Sequence, residues 1–187
     1  MPQPTANPTV RDCAQAILAA IAAHGQDSVA LGNAISAPLR DLMQRDDLLA
    51  HGIPRQGNNV ALSYYLYYDG ELSILLFHVP KGQTIPPHDH GIWETLSVYR
   101  GRVKHIVYER ADDESMPGRA ELRVIDDRVL ERGDFAIVAP PADIHSFTAL
   151  VDDTYAITVV NGMYKAERHY YQPDEKTYVV RQQRNAR

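Results

Sequence analysis

Cysteine, long apolar runs and basic blocks are scarce in this chain, and each scarcity argues against a class of protein. Cys13 is the only cysteine, so the chain can form neither an internal disulfide nor a cysteine-based zinc cluster. No run of about 18 apolar residues occurs, so no membrane-spanning helix is expected. The formal charge is −5, and the one basic stretch is the tail RQQRNAR. We therefore expect neither a nucleic acid nor a membrane as partner.

What is present indicates one globular domain. The 187 residues are 44% hydrophobic and 23% charged, which is enough to bury a sizeable core. The first residues lack the basic and apolar regions of a secretory signal, and the single thiol suits a reducing compartment. We expect one domain over residues 1–187, located in the cytoplasm, with a helical extension at 1–52 and a strand-rich part at 60–180.

Apolar spacing predicts two helices near the N-terminus. From Pro8 to His24 apolar residues recur at helical spacing, and Thr9 and Asp12 are placed to cap the start. A second pattern covers Ala37 to Ala50, with Pro38 at a favourable early position.

Beyond these helices the sequence alternates between short strands and turns. VALSYYLYY and ELSILLFHV, joined by DG, indicate a β-hairpin. Further strand patterns follow to the C-terminus, interrupted by ADDESMPGRA, which we interpret as a flexible loop. The expected fold class is all-β, a sandwich or small barrel with two helices packed outside it.

A histidine pair in the segment GQTIPPHDHGIWETLSVYRG is the strongest chemical signal. His88 and His90 are two residues apart, so in a strand both side chains point to one face, with Cα atoms roughly 7 Å apart. Two imidazole nitrogens can then converge on one ion at about 2.0 to 2.1 Å. Glu94 has the same parity and could face the same interior. The alternative is a pair of surface histidines.

The same segment resembles the first motif of the cupin superfamily. The motif positions are Gly82, His88, His90, Glu94 and Gly101.

A second cupin motif is recognisable in GDFAIVAPPADIH. Gly133, Pro140 and His145 match it. The chain departs from the motif by one extra residue before Pro140, by Ala142 where glycine is usual and by Ala149 where the motif ends in asparagine.

The resemblance implies a cupin double-stranded β-helix, a jelly-roll barrel that encloses a metal ion. His88, His90 and His145 would hold the metal. Glu94 would be a further ligand or a base beside the metal; the alternative is that it only orients an imidazole or reaches solvent at the barrel mouth.

A narrower resemblance is to the thiol dioxygenase branch, the cysteine and 3-mercaptopropionate dioxygenases. IPPHDHGIWETLSVYRG followed by PADIH is similar to those enzymes in its His-Asp-His, tryptophan and Arg-Gly elements. The likeness implies ferrous iron, with manganese, nickel or zinc as alternatives. It also implies the addition of dioxygen to a small anionic substrate that chelates the metal, foremost a thiol or thiol acid. Arg168 would bind the substrate carboxylate; the alternative for this residue is a surface salt bridge.

One part of the thiol dioxygenase pattern is missing. Thr158 could stand for the serine of the Ser-His-Tyr relay, but Val160 and Gly162 occupy the places of its histidine and tyrosine. Tyr164 could supply the phenol instead. Two other functions therefore stay open: a redox-inert metal-dependent isomerase, lyase or hydrolase, and a non-catalytic cupin that binds a small ligand. A homodimer is a further expectation, since cupins commonly pair through barrel edges.

Several other residues have two interpretations each. For Trp93, Tyr65 and Tyr67, the choice is between lining the pocket and packing. His78 and His105 could line the cavity, but a structural, hydrogen-bonded role is favoured for each. Asp89 and Asp143 could accept a hydrogen bond from a ligand imidazole or form turns, and for Asp143 the turn is favoured.

Overall fold

The computed structural model of the protein describes residues 8–25, 27–55 and 62–182. Parts of three predictions lie outside these residues: the N-terminal extension before residue 8, the hairpin at 60–61 and the tail at 183–187. Among the described residues, no helix has the length and apolarity needed to cross a membrane.

The first helix forms where it was predicted, and its start is explained by its cap. Helix α1 spans Val10–His24. Thr9 and Asp12 cap each other's backbone N–H in a capping box, which satisfies donors that the first helical turn leaves free. The last turn ends at Gly25, whose φ is +57°.

The predicted second helix at Ala37 to Ala50 is wrong in its bounds. Helix α2 spans Ser28–Leu42, and a separate one-turn helix α3 follows at Leu48–His51. Asp27 caps α2 by accepting the N–H of Ala30, and Pro38 lies inside the helix rather than at its start. The proline was misleading because it suits a first turn, whereas the buried repeat of α2 starts well before it.

The rest of the described chain forms twelve β-strands and one short 3-10 helix, Pro173–Glu175, between the last two strands. Their bounds are β1 Ile53–Pro54, β2 Ser63–Tyr68, β3 Leu72–Val79, β4 Thr84–His88, β5 Glu94–Arg100, β6 Arg102–Arg110, β7 Leu122–Glu131, β8 Phe135–Val138, β9 Ile144–Ala149, β10 Thr154–Asn161, β11 Glu167–Gln172 and β12 Thr177–Gln182. The hairpin of β2 and β3 confirms the prediction. The segment 111–120 joins β6 to β7 without regular strands, and its flexibility stays a prediction.

The strands form two antiparallel sheets with jelly-roll topology. One sheet has the order β1-β2-β3-β10-β5-β8 and the other β12-β11-β4-β9-β6-β7. The inner sets, β3-β10-β5-β8 and β4-β9-β6-β7, are the two facing sheets of an eight-stranded double Greek key. This architecture is the double-stranded β-helix of the cupins, so the expected fold class is confirmed.

Alternating residues of the first sheet face two different cores. Tyr99 and Ile157 point outward and pack with α1 and α2 in one buried cluster. Val98 and Ala156 point inward and pack with Phe147 of the other sheet. The helices therefore cover the outside of one sheet, as expected, and leave the barrel interior to both sheets.

Candidate metal centre

Three histidines lie together inside the barrel. His88 is the last residue of β4 and the register partner of His145 in β9, while His90 lies in the turn before β5. Their ring centroids are 4.6 to 4.9 Å apart. One ring nitrogen of each lies within 4.8 Å of the other two. The pairing of β4 with β9 thus joins the two motifs into one group, which we call the three-histidine group.

The turn that carries His90 is fixed by a buried carboxylate. Asp143 Oδ2 accepts the backbone N–H of His90 at 2.9 Å and that of Gly91 at 2.6 Å. Gly91 has φ +74°, a conformation that a residue with a Cβ adopts only under strain. The structure thus gives Asp143 the turn-forming role that the sequence favoured.

Hydrogen-bond acceptors lie beside the Nδ1 atoms of His88 and His90, which we call their outer nitrogens. His88 Nδ1 lies 2.8 Å from the carbonyl oxygen of Pro86, and His90 Nδ1 lies 3.1 Å from Glu94 Oε2. An imidazole that donates from Nδ1 keeps its Nε2 lone pair for a metal. The Pro86 carbonyl therefore holds His88 in the tautomer that a metal ligand requires, while His90 Nδ1 also has a donor, Arg168 Nη2, at 3.1 Å.

The spacing of the inner nitrogens suits a divalent metal ion. His90 Nε2 and His145 Nε2 are 3.0 Å apart. Two nitrogens bound at about 2.1 Å to one ion, at right angles, would be about 3.0 Å apart. The three-histidine group could therefore hold a metal ion, with no displacement of this pair.

Burial keeps His88 and His145 neutral, as metal ligands must be. His88 is 5% exposed and His145 is fully buried. Burial, followed by the nearby histidines, lowers the pKa of His88 to about 3 and the pKa of His145 well below its usual value. At neutral pH both rings offer a lone pair rather than a charge.

Glu94 lies beside the three-histidine group with its carboxylate engaged by two neighbours. Its Oε2 is close to His90 Nδ1 and accepts a short hydrogen bond from the Tyr164 hydroxyl, while Oε1 lies 3.9 Å from His145 Nε2. Burial opposes its ionisation, but His90, Tyr164 and Arg168 outweigh burial and lower the pKa of Glu94 to about 2. The carboxylate is therefore ionised and next to the group; its role as a metal ligand stays a prediction.

The other two predicted catalytic residues reach the same place from the C-terminal part of the chain. Arg168 on β11 is 8% exposed, and its Nη2 lies 3.1 Å from His90 Nδ1. Its guanidinium also lies over the Tyr164 ring, 4.8 Å from the centroid. Burial and the Glu94 charge raise the pKa of Tyr164 well above its usual value. Tyr164 is thus a phenol that stays protonated beside a fixed cation.

Two neighbours of the three-histidine group were not predicted as such from the sequence: Tyr170 was not considered, and His105 was given only a structural role. Tyr170 stacks on His88 with ring centroids 5.7 Å apart, and it shares the parity of Arg168 in β11, which is the signal that could have found it. The second is His105 on β6. It was expected to be structural, and its Nε2 lies 2.9 Å from His145 Nδ1.

Asp89 does not serve a ligand imidazole in this structure. Its carboxylate accepts hydrogen bonds from Lys165, from His169 Nδ1 at 2.6 Å and from the Tyr171 hydroxyl at 3.1 Å. Alternation explains the difference, because a residue between His88 and His90 points to the opposite face. Asp89 instead ties the histidine turn to β11.

Several residues with two interpretations turn out to pack away from the three-histidine group. Trp93 is buried in the cluster with the helices, the Tyr67 hydroxyl donates to Asp69, Tyr65 packs on Tyr68 and His78 packs on Tyr155. These contacts are structural ones.

Comparisons with known proteins find only distant similarity to solved structures. No protein-family model matches the sequence, and no similar curated protein was found. The solved structure of KdgF from Halomonas sp. is 16% identical with a TM-score of 0.42, covering 58% of this chain and 85% of that one. A double-stranded β-helix protein from Klebsiella pneumoniae is 15% identical with a TM-score of 0.42, covering 73% and 95%.

A third similar structure is hydroquinone 1,2-dioxygenase PnpCD, solved with Cd2+ and 4-hydroxybenzonitrile. It is 12% identical with a TM-score of 0.40, covering 52% of this chain and 61% of that one. Similarities of this extent do not indicate a shared activity. The strand topology and the three-histidine group define the chain as a cupin-type barrel with a candidate metal centre, and its chemistry has to be argued from its own residues.

Proposed function

We propose that the protein is a mononuclear non-haem iron dioxygenase of the thiol dioxygenase type. It would add dioxygen to a small anionic substrate, foremost a thiol or a thiol acid. The observation that carries the proposal is the three-histidine group itself: three buried imidazoles converge, while the nearest carboxylate, Glu94, is engaged by Tyr164 and His90.

The charge of this ligand set favours an anionic substrate. Three neutral imidazoles leave the 2+ charge of the ion uncompensated in a buried site. Ferrous iron bound there would supply open positions for an anionic chelator and for dioxygen. Manganese, nickel and zinc are alternative ions, because imidazole binds all of them.

Arg168 and Tyr164 would position the substrate. The Arg168 Nε donates to the Asp89 carbonyl oxygen at 2.9 Å, which holds the guanidinium in one orientation beside His90. A fixed guanidinium suits the planar carboxylate of a thiol acid. Tyr164 stays protonated and donates a hydrogen bond to Glu94, so it would present a neutral hydrogen-bond donor close to the reacting atoms.

A redox-inert metal-dependent isomerase, lyase or hydrolase is the second candidate. It is favoured by the absence of the thiol dioxygenase relay: Val160 is the register partner of Glu94, and its side chain can neither accept nor donate a proton. Glu94 would then act as the base. Its pKa of about 2 makes it a weak one, since a general base works best with a pKa near the operating pH.

Oxygen uptake separates these candidates. The natively purified protein is analysed for metal, then reconstituted with Fe2+ or with Zn2+ and tested with small thiols, thiol acids and β-dicarbonyls. We expect uptake with iron and none with zinc, and loss of uptake in His145→Ala but not in His24→Ala, an exposed histidine at the end of α1. No uptake with any substrate at full iron loading would reject the dioxygenase and favour the redox-inert candidate.

A further inference from the structure

His105 is a buried histidine outside the three-histidine group that touches only one of its members. It lies on β6, is fully buried, and meets the edge of the His145 ring at an interplanar angle of 80° with centroids 5.1 Å apart. Its Nε2 is 2.9 Å from His145 Nδ1. This is the outer nitrogen of His145, on the side away from the His90 ring.

The three outer nitrogens therefore have neighbours of different character. The Pro86 carbonyl beside His88 and the Glu94 carboxylate beside His90 can only accept a hydrogen bond. The Pro86 carbonyl thus requires His88 to carry hydrogen on Nδ1, whereas His90 Nδ1 also lies 3.1 Å from a donor, Arg168 Nη2. A neutral imidazole such as His105 can accept or donate at Nε2, depending on its tautomer.

The direction of the hydrogen bond between the two histidines decides whether His145 can bind a metal. If His105 donates, His145 carries its hydrogen on Nε2, which points at His90 Nε2 across 3.0 Å and blocks coordination. If His105 accepts, His145 carries hydrogen on Nδ1 and its Nε2 lone pair faces the group. Accepting requires that His105 itself is protonated on Nδ1.

We propose that His105 is a positioning residue for the third metal ligand, accepting the Nδ1–H of His145 and so holding its Nε2 lone pair toward the metal. This inference rests on the proposed metal centre. It adds a fourth histidine, drawn from a strand that carries no part of either motif, to the residues that determine metal affinity.

The other ring nitrogen of His105 supports a functional role for this residue. Within the described residues, its Nδ1 is buried and has no hydrogen-bond partner. An unsatisfied buried N–H destabilises a fold, so an apolar residue would suit this core position better if packing were all that counted. The tautomer that orients His145 places the hydrogen on this unpartnered nitrogen.

Metal affinity of two variants tests the proposal. His105→Phe keeps a ring but removes the acceptor, whereas His105→Gln places a carbonyl oxygen near the position of Nε2. We expect Co2+ or Zn2+, added alone and measured by competition with a chelating dye, to bind His105→Phe about 10–100-fold more weakly than the wild type. His105→Gln should recover much of this loss. His78→Phe, a half-buried histidine that packs on Tyr155, is the matched control and should bind like the wild type.

The tautomers of His105 and His145 can also be determined in the wild type, which provides a test if His105→Phe does not fold. Long-range 1H–15N spectra of the Zn2+-loaded wild type should show His105 protonated on Nδ1 and His145 protonated on Nδ1 with a metal-bound Nε2. His105 protonated on Nε2 in the loaded protein would overturn the proposal, because that nitrogen could then not accept.

The outcomes separate this inference from the function on which it rests. A wild type that binds neither Co2+ nor Zn2+ would reject the metal centre and His105's role together. The positioning role alone would be rejected if the wild type binds one ion per chain and folded His105→Phe binds it equally tightly. Folding of each variant is checked by circular dichroism and thermal unfolding of the metal-free protein.

Discussion

At the scale of single residues, Glu94 is the group whose chemistry most depends on its neighbours. It is 5% exposed, and a buried carboxylate without partners would take up a proton. The Tyr164 hydroxyl and the His90 ring keep it ionised. The Glu94 carboxylate lies against both groups, so that its one charge orients a candidate metal ligand, His90, and a candidate proton donor, Tyr164.

Replacing Glu94 with glutamine tests whether this carboxylate coordinates the metal. Glutamine keeps the volume and one acceptor oxygen but removes the charge. If Glu94 lies beside His90 without coordinating the metal, we expect Glu94→Gln to bind one metal ion per chain about 10-fold more weakly than the wild type. Binding is measured by chelator competition, with the exposed Glu71→Gln as control. If Glu94 is a ligand, binding in Glu94→Gln should fall far more, and the coordination number from X-ray absorption should drop by one.

Cys13 should be chemically inert in the folded protein. It is 2% exposed on α1, and burial, followed by the charge of Asp41, raises the pKa of its thiol to about 12. The thiolate is the reactive form, so Ellman's reagent at pH 8 should leave the native protein unmodified and label one thiol per chain in denaturant. Rapid native labelling would show that α1 detaches from the sheet on the timescale of the reaction.

At the scale of elements, the turn between β5 and β6 lies closely against the start of β10. Gly101 carries the chain from one sheet to the other with φ +80°. A Cβ at this position would lie 2.3 Å from Thr154 Oγ1 and 2.8 Å from Thr154 Cα. The neighbouring chain segment, and not the turn alone, thus requires glycine.

Alanine substitutions at two glycines should separate backbone strain from this close approach. Gly82→Ala meets the same kind of strain, with φ +76° and nothing within 4 Å of its Cβ, so it should lower the free energy of unfolding by about 1–2 kcal/mol. Gly101→Ala adds a clash with backbone and should lower it by at least about 3 kcal/mol. Urea unfolding of both variants measures the difference; equal losses would contradict the role assigned to Thr154.

The sequence predicts those elements whose signals are local. The spacing of His88 and His90 and the motif around His145 identified the residues of the group, and the DG turn identified the hairpin. The start of α2 was missed because Pro38 imitates a helix start. His105 could be given only a general structural role, because its contact with His145 depends on the pairing of β6 with β9, which no local pattern encodes.

At the scale of the whole molecule, the three-histidine group contains two buried imidazoles, His88 and His145, that the fold keeps uncharged. Its members come from β4, β9 and the turn between the sheets, and His105 adds β6. A protonated imidazole there would be a buried charge next to other imidazoles, which is strongly unfavourable. The stability of the barrel is therefore linked to pH through these side chains.

The metal-free protein should lose stability as the pH falls below about 6.5. In the folded state the pKa of His88 is about 3, and burial and Arg128 lower the pKa of His105 to about 4, whereas unfolded histidines titrate near 6.5. Between these values the unfolded chain binds more protons, so the free energy of unfolding decreases with falling pH by roughly 1 kcal/mol per pH unit for each such histidine. Above pH 7 their contribution is complete and constant.

Urea unfolding in the presence of a chelator, at pH 7.5, 6 and 5, measures this dependence. The variant His105→Phe provides the control, since it removes one buried titrating ring and should reduce the slope between pH 6 and 5 by about one proton. Added Zn2+ should raise the stability at pH 7.5 and still do so at pH 5, because the lowered pKa values of His88 and His145 keep their lone pairs free of protons over this range. A stability that is constant from pH 7.5 to 5 without metal would contradict the burial of neutral imidazoles on which the metal centre depends.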